Sequence, residues 1–595
     1  MPSYKAPLRE MQFILFDVLK VDDPNNGVPA YAEMGQDVIA AVLEEASRFS
    51  EEVLQPLNHS GDEEGCTFHD GAVTTPKGFK AAYEKFVEGG WSAIACGAEH
   101  GGQGVPNAVN FAFEEMISSA NLAFGLFPGL THAAHNALLA HGSAELKQTY
   151  LPKLVDGTWL GTMCLTEPHC GTDLGLLRTR AEPLADGSFL LNGTKIFISA
   201  GEHDLTENII HLVLARLPDA PPGIRGISLF VCPKFLPLPD DKLGARNPVV
   251  CGSIEKKMGI KASPTCVMNF DGAKAWLVGV PNKGMTAMFT MMNLARLMVG
   301  IQGLGIAEAA YQGGLSYARN RLQMRAPTGA KYPNLAADPL IVHPDIRRLL
   351  MRMKTMTEGC RALAMWIGNE HDIAIGHHDA SRREAADDLV ALMTPVVKAM
   401  LTDHGFNAAN DGVQIFGGHG YIREWGMEQL VRDARITQLY EGTNGIQALD
   451  LVARKLTMGT GRVARRFFHP VAAYLELNAA TADLAEFITP VAKAFSRLQQ
   501  ATLWLGTAGT ANPDDAASAA TDYLRLFGLV AIGYMWCRMT ETALALNKKK
   551  EDSFYASKIA CARFYMAKIL PETGSLLINI TAGSKAVMAL SEEHF

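Results

Sequence analysis

The sequence predicts a mainly helical α+β protein built in series. An N-terminal helical domain is followed by a middle β-domain, a helical bundle and an additional C-terminal helical domain. Three observations predict this. The chain has 595 residues, beyond the size at which a single core stops growing. Near residue 160 helical periodicity gives way to short β-rich runs, and from about Lys283 it returns and persists. The expected boundaries are an N-terminal arm over 1–35, a helical domain over 36–160, a β-domain over 161–285, a bundle over 286–455 and an extra helical domain over 456–595.

Residues 1–35 read as an extended arm packing on a helical body. From Gln36 to Leu57 the apolar Val38, Ile39, Val42, Leu43 and Val53 fall near a helical period, with Glu44, Glu45, Glu51 and Glu52 mostly facing away. Further helices are expected at about 77–89, 106–120, 130–141 and 143–154, with the apolar stretch Phe124–Gly129 interrupting them. Strands are expected at Phe189–Leu191, Thr194–Ser199, Ile209–Ala215, Gly226–Val231 and Val267–Phe270. Asn192-Gly193 between the first two is a strong hairpin signal. Pro233–Gly252, with four prolines, reads as an insertion.

Met285–Leu322 repeats Met and Leu at helical spacing, which marks core. Arg325–Pro344, again with four prolines, is a loop. Helices at about 345–370, 381–411 and 424–437 complete the bundle. Residues 456–470, carrying Arg462, Arg465, Arg466 and Pro470, read as a linker. Helices at about 471–503, 515–547 and 553–591 form the last domain.

The composition excludes several classes. A net charge of −8 argues against a nucleic-acid binder and for a soluble protein. Ten cysteines without a CxxC pair suit neither a zinc site nor a secreted disulfide framework, so reduced thiols in a cytoplasmic protein are expected, with no metal. The start, Met1-Pro2-Ser3-Tyr4-Lys5, lacks the pattern of a signal or transit peptide. The apolar run Leu526–Cys537 is too short to span a bilayer, and no transmembrane segment is expected. GxGxxG after a strand, GxxxxGK[ST], HExxH and GxSxG are absent, so a Rossmann site, a P-loop and the common hydrolase motifs have no support.

The chemistry gathers at Arg432–Gly445, where a helical run breaks at glycines and Glu441 sits between Tyr440 and Gly442. A Glu beside a Gly is ordinarily a solvated helix end. Here it has company: Cys164–Asp173 with Thr166-Glu167-Pro168, Lys195–Ser199, Arg321–Met324 and Gln414–Tyr421. Together, in this order and at these spacings, these segments resemble the acyl-CoA dehydrogenase family over residues 36–455. The chain is similar to its long members, which carry a further helical segment after the signature.

That resemblance implies an acyl-CoA dehydrogenase-like fold, bound FAD and α,β-dehydrogenation of an acyl-CoA thioester to a trans-2-enoyl-CoA. Glu441 matches the base that removes the α-proton, with desolvation by substrate expected to raise its pKa. The other known base position, before Arg296, is Ala295 here. The matched cofactor residues are Met163, Leu165, Thr166, Thr172, Phe197, Ser199, Arg321, Gln323, Gln414, Gly417, Gly418 and Thr443. Phe197 stands where Trp is common and keeps the stacking face without the N–H. Arg321 and Gln323 match residues that reach the diphosphate of a neighbouring subunit's FAD, so an oligomer, chosen as a homodimer, is implied. Substrate contacts fall on Thr172, Asn293, Arg296, Tyr440 and Gly442. Asn293 replaces a common Asp, and Gly445 lacks a common polar side chain. Electrons would pass to an electron-transfer flavoprotein. Substrates consistent with the long members are 3-methylmercaptopropionyl-CoA and fatty acyl-CoAs. An acyl-CoA oxidase on the same scaffold and a non-catalytic acyl-CoA or flavin-binding scaffold are the alternatives. The C-terminal domain carries no chemistry legible in its sequence.

Overall fold

The computed structural model describes residues 3–23, 26–239 and 242–595. Parts of the expected arm (Met1, Pro2, Pro24, Asn25) and of the expected insertion (Asp240, Asp241) lie outside the described residues. Helices α1 (Leu8–Gln12), α2 (Pro29–Arg48), α3 (Pro56–Glu64), α4 (Phe79–Glu88), α5 (Asn107–His141) and α6 (Ala144–Val155) come first, with a hairpin of β1 (Thr67–His69) and β2 (Ala72–Thr74). The strands β3 (Trp159–Cys164), β4 (Arg180–Pro183), β5 (Phe189–Ser199), β6 (Asn208–Arg216), β7 (Ile227–Pro233), β8 (Phe235–Pro237), β9 (Leu243–Arg246), β10 (Val249–Ile254) and β11 (Thr265–Val278) follow. Then come α7 (Gly284–Asn320), α8 (Pro344–Gly376), α9 (Ala380–Phe416), α10 (Met427–Thr437), α11 (Asn444–Asp450), α12 (Arg462–Asn478), α13 (Ala485–Ala511), α14 (Pro513–Lys549), α15 (Ser553–Phe564) and α16 (Thr573–Thr581). The chain forms two compact units, Arg48–Val105 with Ala120–Met298, and Met1–Ser47 with Pro106–Ser119 and Val299–Phe595.

The first unit is built on a seven-stranded sheet of order β10-β11-β5-β4-β6-β3, in which β7 pairs with both β6 and β11. Those pairings close β11, β5, β4, β6 and β7 into a ring, which leaves few free edges. The β3–β6 pairing is parallel and β6–β7 is antiparallel. Successive side chains of a strand point to opposite faces. In β6, Ile210, Leu212 and Leu214 enter one core while Val213 and Ala215 enter the other. Burial on both faces explains why this strand reads as an unbroken apolar run.

Several expectations in this unit are corrected. Asn192-Gly193 makes no hairpin turn, because β5 runs unbroken through it. A Cβ at Gly193 would stand 2.4 Å from Thr179 Oγ1, and Asn192 Oδ1 accepts from Gly272 N at 2.9 Å. The glycine therefore serves close strand approach. Phe124–Gly129 does not interrupt the helix. The backbone breaks at Asn121 (φ −162°, ψ 88°), whose Oδ1 accepts from Phe124 N at 3.1 Å and starts the next helical turn. The expected insertion supplies the β8–β9 hairpin and β10, a sheet strand that buries Val249 and Cys251.

In the second unit α14 is apolar around its whole circumference from Leu526 to Cys537 and is buried accordingly. It packs on α8, α9, α11, α13, α15 and α16. The N-terminal segment is helical rather than extended: α1 continues as a π-helix over Phe13–Val18 that buries Phe13, Ile14, Leu15 and Val18. The expected linker is largely helix, since α12 starts at Arg462 and runs through Pro470, with Arg462 and Arg466 pairing with Asp388. The expected helix 471–503 breaks between Asn478 and Ala485. The expected helix 553–591 breaks around Pro571, which has no N–H to donate. Six buried charges and the half-buried Lys354 bind the segments together. Arg361 on α8 bonds Glu115 of α5 and Glu308 of α7, while Lys558 on α15 pairs with Glu10 and Glu358, and Lys354 pairs with Glu358. By length and composition α7 is apolar enough to cross a membrane, but 67% of its most apolar window is buried inside the protein. All ten cysteines are free thiols.

Candidate active site

In the unit of Arg48–Val105 and Ala120–Met298 the structure places two of the sequence segments side by side. Met163 on β3, and Leu165 and Thr166 on the turn after it, are all half-buried. Ile196 N, on β5, donates to Thr166 O at 2.9 Å. Lys195 is fully buried and donates to Leu165 O at 2.9 Å and Glu167 Oε1 at 2.8 Å. Glu167 also accepts from Arg178 N, Thr179 N and Thr179 Oγ1 at 2.7, 3.0 and 2.6 Å. Burial alone would raise the Glu167 carboxyl, but Lys195 and these donors hold it below the ordinary range. The ammonium of Lys195 is itself lowered by burial.

Sequence reading missed the role of both residues. Lys195 shares its strand face with Leu191, so a lone lysine at a core-facing position was the available signal. Glu167, His169 and Cys170 lie close enough together to hold a metal. Glu167 is committed as above, and His169 Nε2 bonds Leu176 O at 2.9 Å.

Phe197 is 59% exposed and has φ +59°, a backbone conformation costly for an aromatic residue. The register explains it: Cys266 pairs with Ile198 and Met268 with Lys195, so Ile196 and Phe197 together oppose the single Val267. This β-bulge turns the ring out of the sheet. Such strain persists where the fold over-determines it, and it marks functional positions. Ser199 follows half-buried, and Thr172 is exposed on the loop beyond the turn. On α7 Asn293 is exposed, Arg296 is 7% exposed, and Ala295 offers no carboxylate.

The other unit holds the remaining residues in two groups. The first is the turn between α10 and α11. Glu441 is half-buried with φ +56°, and Gly442 follows at φ +85°. Gln447 Nε2 donates to Glu441 O at 3.0 Å, and Lys398 Nζ donates to Gly442 O at 3.0 Å. Thr443 caps α11 by accepting from Ile446 N at 3.3 Å. Tyr440 OH donates to Gln302 Oε1. Burial raises this phenol well above its usual value, with the Glu441 and Asp433 charges adding to it. Gln302, Lys398 and Gln447 were not anticipated.

The second group is exposed. Arg321 and Gln323 follow α7, while Gln414, Gly417 and Gly418 lie at the end of α9. Tyr317, one turn before Arg321, stacks on Phe416 at 4.1 Å and bonds His419 at 3.0 Å, which brings the two ends together. Gly417 has φ +61° and ψ −136°, a conformation that only glycine adopts readily. A Cβ on either glycine would meet nothing within 4 Å. Open backbone beside an arginine and two amide side chains fits a diphosphate. The outward Phe197 ring and the Thr166 turn fit the ring system of a flavin.

These features define a flavoprotein fold with an added helical module, and the relatives identify its class. Residues 37–158, 162–273 and 282–457 match the N-terminal, middle and C-terminal domain models of acyl-CoA dehydrogenases, and 467–591 match a model described as acetyl-CoA dehydrogenase C-terminal like. The chain is 43% identical to 3-methylmercaptopropionyl-CoA dehydrogenase of Ruegeria pomeroyi, over 99% of this chain and 100% of that protein. It is 34% identical to a butyryl-CoA dehydrogenase of Syntrophomonas wolfei, over the full length of both. Its fold matches the Caenorhabditis elegans ACDH-11 structure in complex with C11-CoA, with TM-score 0.77 at 20% identity, covering 95% and 92% of the two chains. The chain belongs to the acyl-CoA dehydrogenase family. It is an FAD-dependent oxidoreductase of the CH–CH class and resembles the 3-methylmercaptopropionyl-CoA dehydrogenases among the long members.

Proposed function

We propose that Glu441 is the base of an acyl-CoA α,β-dehydrogenation that yields a trans-2-enoyl-CoA. The observation that carries this is the turn itself: a carboxylate-bearing residue at φ +56°, with its own and the next carbonyl pinned by buried side chains. A fold that keeps a carboxylate in a costly conformation spends stability on its orientation. Glu441 takes the α-proton of the bound thioester in a site from which substrate excludes water. FAD, when bound, accepts the β-hydrogen as hydride. Met163, Leu165, Thr166, Thr172, Phe197, Ser199 and Thr443 would hold the flavin, and Arg321, Gln323, Gln414, Gly417 and Gly418 its diphosphate side. Thr172, Asn293, Arg296, Tyr440 and Gly442 would contact the acyl-CoA. Electrons pass on to an electron-transfer flavoprotein.

Two finer readings belong with this one. The name of the 43% identical relative favours 3-methylmercaptopropionyl-CoA as substrate over longer acyl-CoAs. The expected domain boundaries, a homodimer and a cytoplasmic location complete the proposal. The dimer is supported by Met324, Tyr421 and Ile422, which are 77%, 85% and 49% exposed in the same stretches as the diphosphate residues. The free thiols support a reducing compartment. The test is anaerobic titration of the purified protein with a panel of acyl-CoAs, following the flavin band. Bleaching by 3-methylmercaptopropionyl-CoA at low concentration is expected. A protein that takes up no FAD, or that no acyl-CoA bleaches, overturns the proposal, and peroxide release at the turnover rate would make it an oxidase.

A further inference from the structure

Lys398 sits mid-helix in α9, within Pro395-Val396-Val397-Lys398-Ala399-Met400-Leu401, and is 0% exposed. A methionine would fill the same space among these neighbours without burying an ammonium, which is among the costliest groups to take out of water. The ammonium is directed at the turn that carries Glu441. Its Nζ donates to Gly442 O at 3.0 Å and to Asn444 Oδ1 at 2.8 Å. Asn444 Nδ2 in turn donates to Asp403 Oδ1 at 2.7 Å and Thr402 Oγ1 at 3.0 Å, and Gln438 Nε2 donates to Asp403 Oδ1 at 2.6 Å. Both ends of the turn are thereby tied to one face of α9. Glu441 and Gly442 are consecutive residues with positive φ, a pair that relaxes readily unless its carbonyls are held.

We propose that Lys398 is a positioning residue for Glu441. Its ammonium fixes the carbonyl next to the base and the first residue of α11, so that the carboxylate is presented in one orientation. This rests on Glu441 being the base. The charged and titratable groups placed around the turn include Lys398 and Asp403 on α9, Asp433 on α10, Arg435 on α10 (3.2 Å from Gln438 Oε1), Tyr440 within it and, against Asp403, Arg525 on α14.

The test uses the FAD-loaded enzyme with Lys398→Met. Three quantities are read: acyl-CoA affinity from the perturbed flavin spectrum, the anaerobic rate of flavin reduction at saturating acyl-CoA, and the pH dependence of that rate. A base displaced by about 1 Å costs about 10²-fold, so the saturated rate falls by that order while acyl-CoA affinity changes less than about threefold. Losing a nearby cation favours the protonated carboxyl, so the midpoint of the pH profile moves upward. A folded, FAD-loaded Lys398→Met enzyme with the parent rate and midpoint overturns the proposal, whatever its loss of thermal stability. Glu441→Gln run alongside separates the two readings. If Glu441→Gln is inert and Lys398→Met is parent-like, only the positioning role fails; if Glu441→Gln reduces flavin at the parent rate, the base assignment fails. Should Lys398→Met not fold, Asn444→Ala removes the other end of the contact. The same slow reduction is then expected, with the midpoint left near the parent's because the ammonium remains on Gly442 O, and a parent rate refutes the role.

Discussion

Glu441→Gln tests the proton-transfer role while keeping the backbone bonds that shape the turn. Those bonds run through the backbone: Gln447 to Glu441 O, Lys398 to Gly442 O, and Ile446 N to Thr443 Oγ1. A glutamine of the same shape leaves them in place, so stability should stay within about 0.5 kcal/mol of the parent. A positioned general base contributes about 10²–10⁴-fold, or about 3–5 kcal/mol of barrier, so anaerobic flavin reduction should slow by at least that factor. FAD content and acyl-CoA affinity, measured on the same sample, should be unchanged. Glu441→Gly provides the complement. It removes a left-handed residue costing about 1–2 kcal/mol and loosens the unfolded chain by about 0.4–1 kcal/mol, so it should be as inactive yet no less stable, and up to about 1.5 kcal/mol more stable. Denaturant unfolding reads that difference. A Glu441→Gln enzyme that retains its FAD and bleaches at the parent rate would refute the assignment.

Other perturbations test other parts of the structure. Gly417→Ala forces a side chain into a glycine-only conformation and should cost about 1–3 kcal/mol, whereas Gly418→Ala, at ordinary φ and with open space, should leave stability unchanged. Both should weaken FAD binding, measured by cofactor titration of the apoprotein, if the diphosphate lies there. Arg361→Met leaves Glu115 and Glu308 buried without their cation and should destabilise by about 3–5 kcal/mol in denaturant unfolding. His203, His211 and His404 are buried and held down to about 3 by desolvation. The unfolded chain takes up their protons near pH 6.5 and the folded one does not, so their contribution is present above that pH and lost as pH falls. Each should cost on the order of 2 kcal/mol by about pH 5. His135 and His371, also lowered by burial, add to this, while Glu114, pushed up to about 7 by burial, and Glu10, Glu115 and Asp372, raised by burial, act in the opposite sense. Melting temperature should fall from pH 7 to pH 5, and His404→Gln should flatten that slope.

The order of helical, β-rich and helical texture, and the turn that carries Glu441, were legible in the sequence because they rest on local facts. Periodicity 3.6 or 2 reports which faces are buried, and Tyr440-Glu441-Gly442-Thr443 announces a helix break with a carboxylate on it. What the sequence misplaced were features decided by distant partners. Asn192-Gly193 has the local chemistry of a hairpin, yet Thr179 packs against the glycine and Gly272 bonds the asparagine, so the pair is carried as straight strand. The arginines after residue 460 suggested a linker until Asp388, far away in sequence, supplied their counter-charge. Likewise a lone lysine in an apolar run says only that something must meet it. That Lys195 meets Glu167 beneath the Thr166 turn, and Lys398 the carbonyl beside Glu441, was decided by tertiary structure alone. The reason is physical: a buried charge is tolerated only where the whole fold brings it a partner, and no local window of sequence contains that partner.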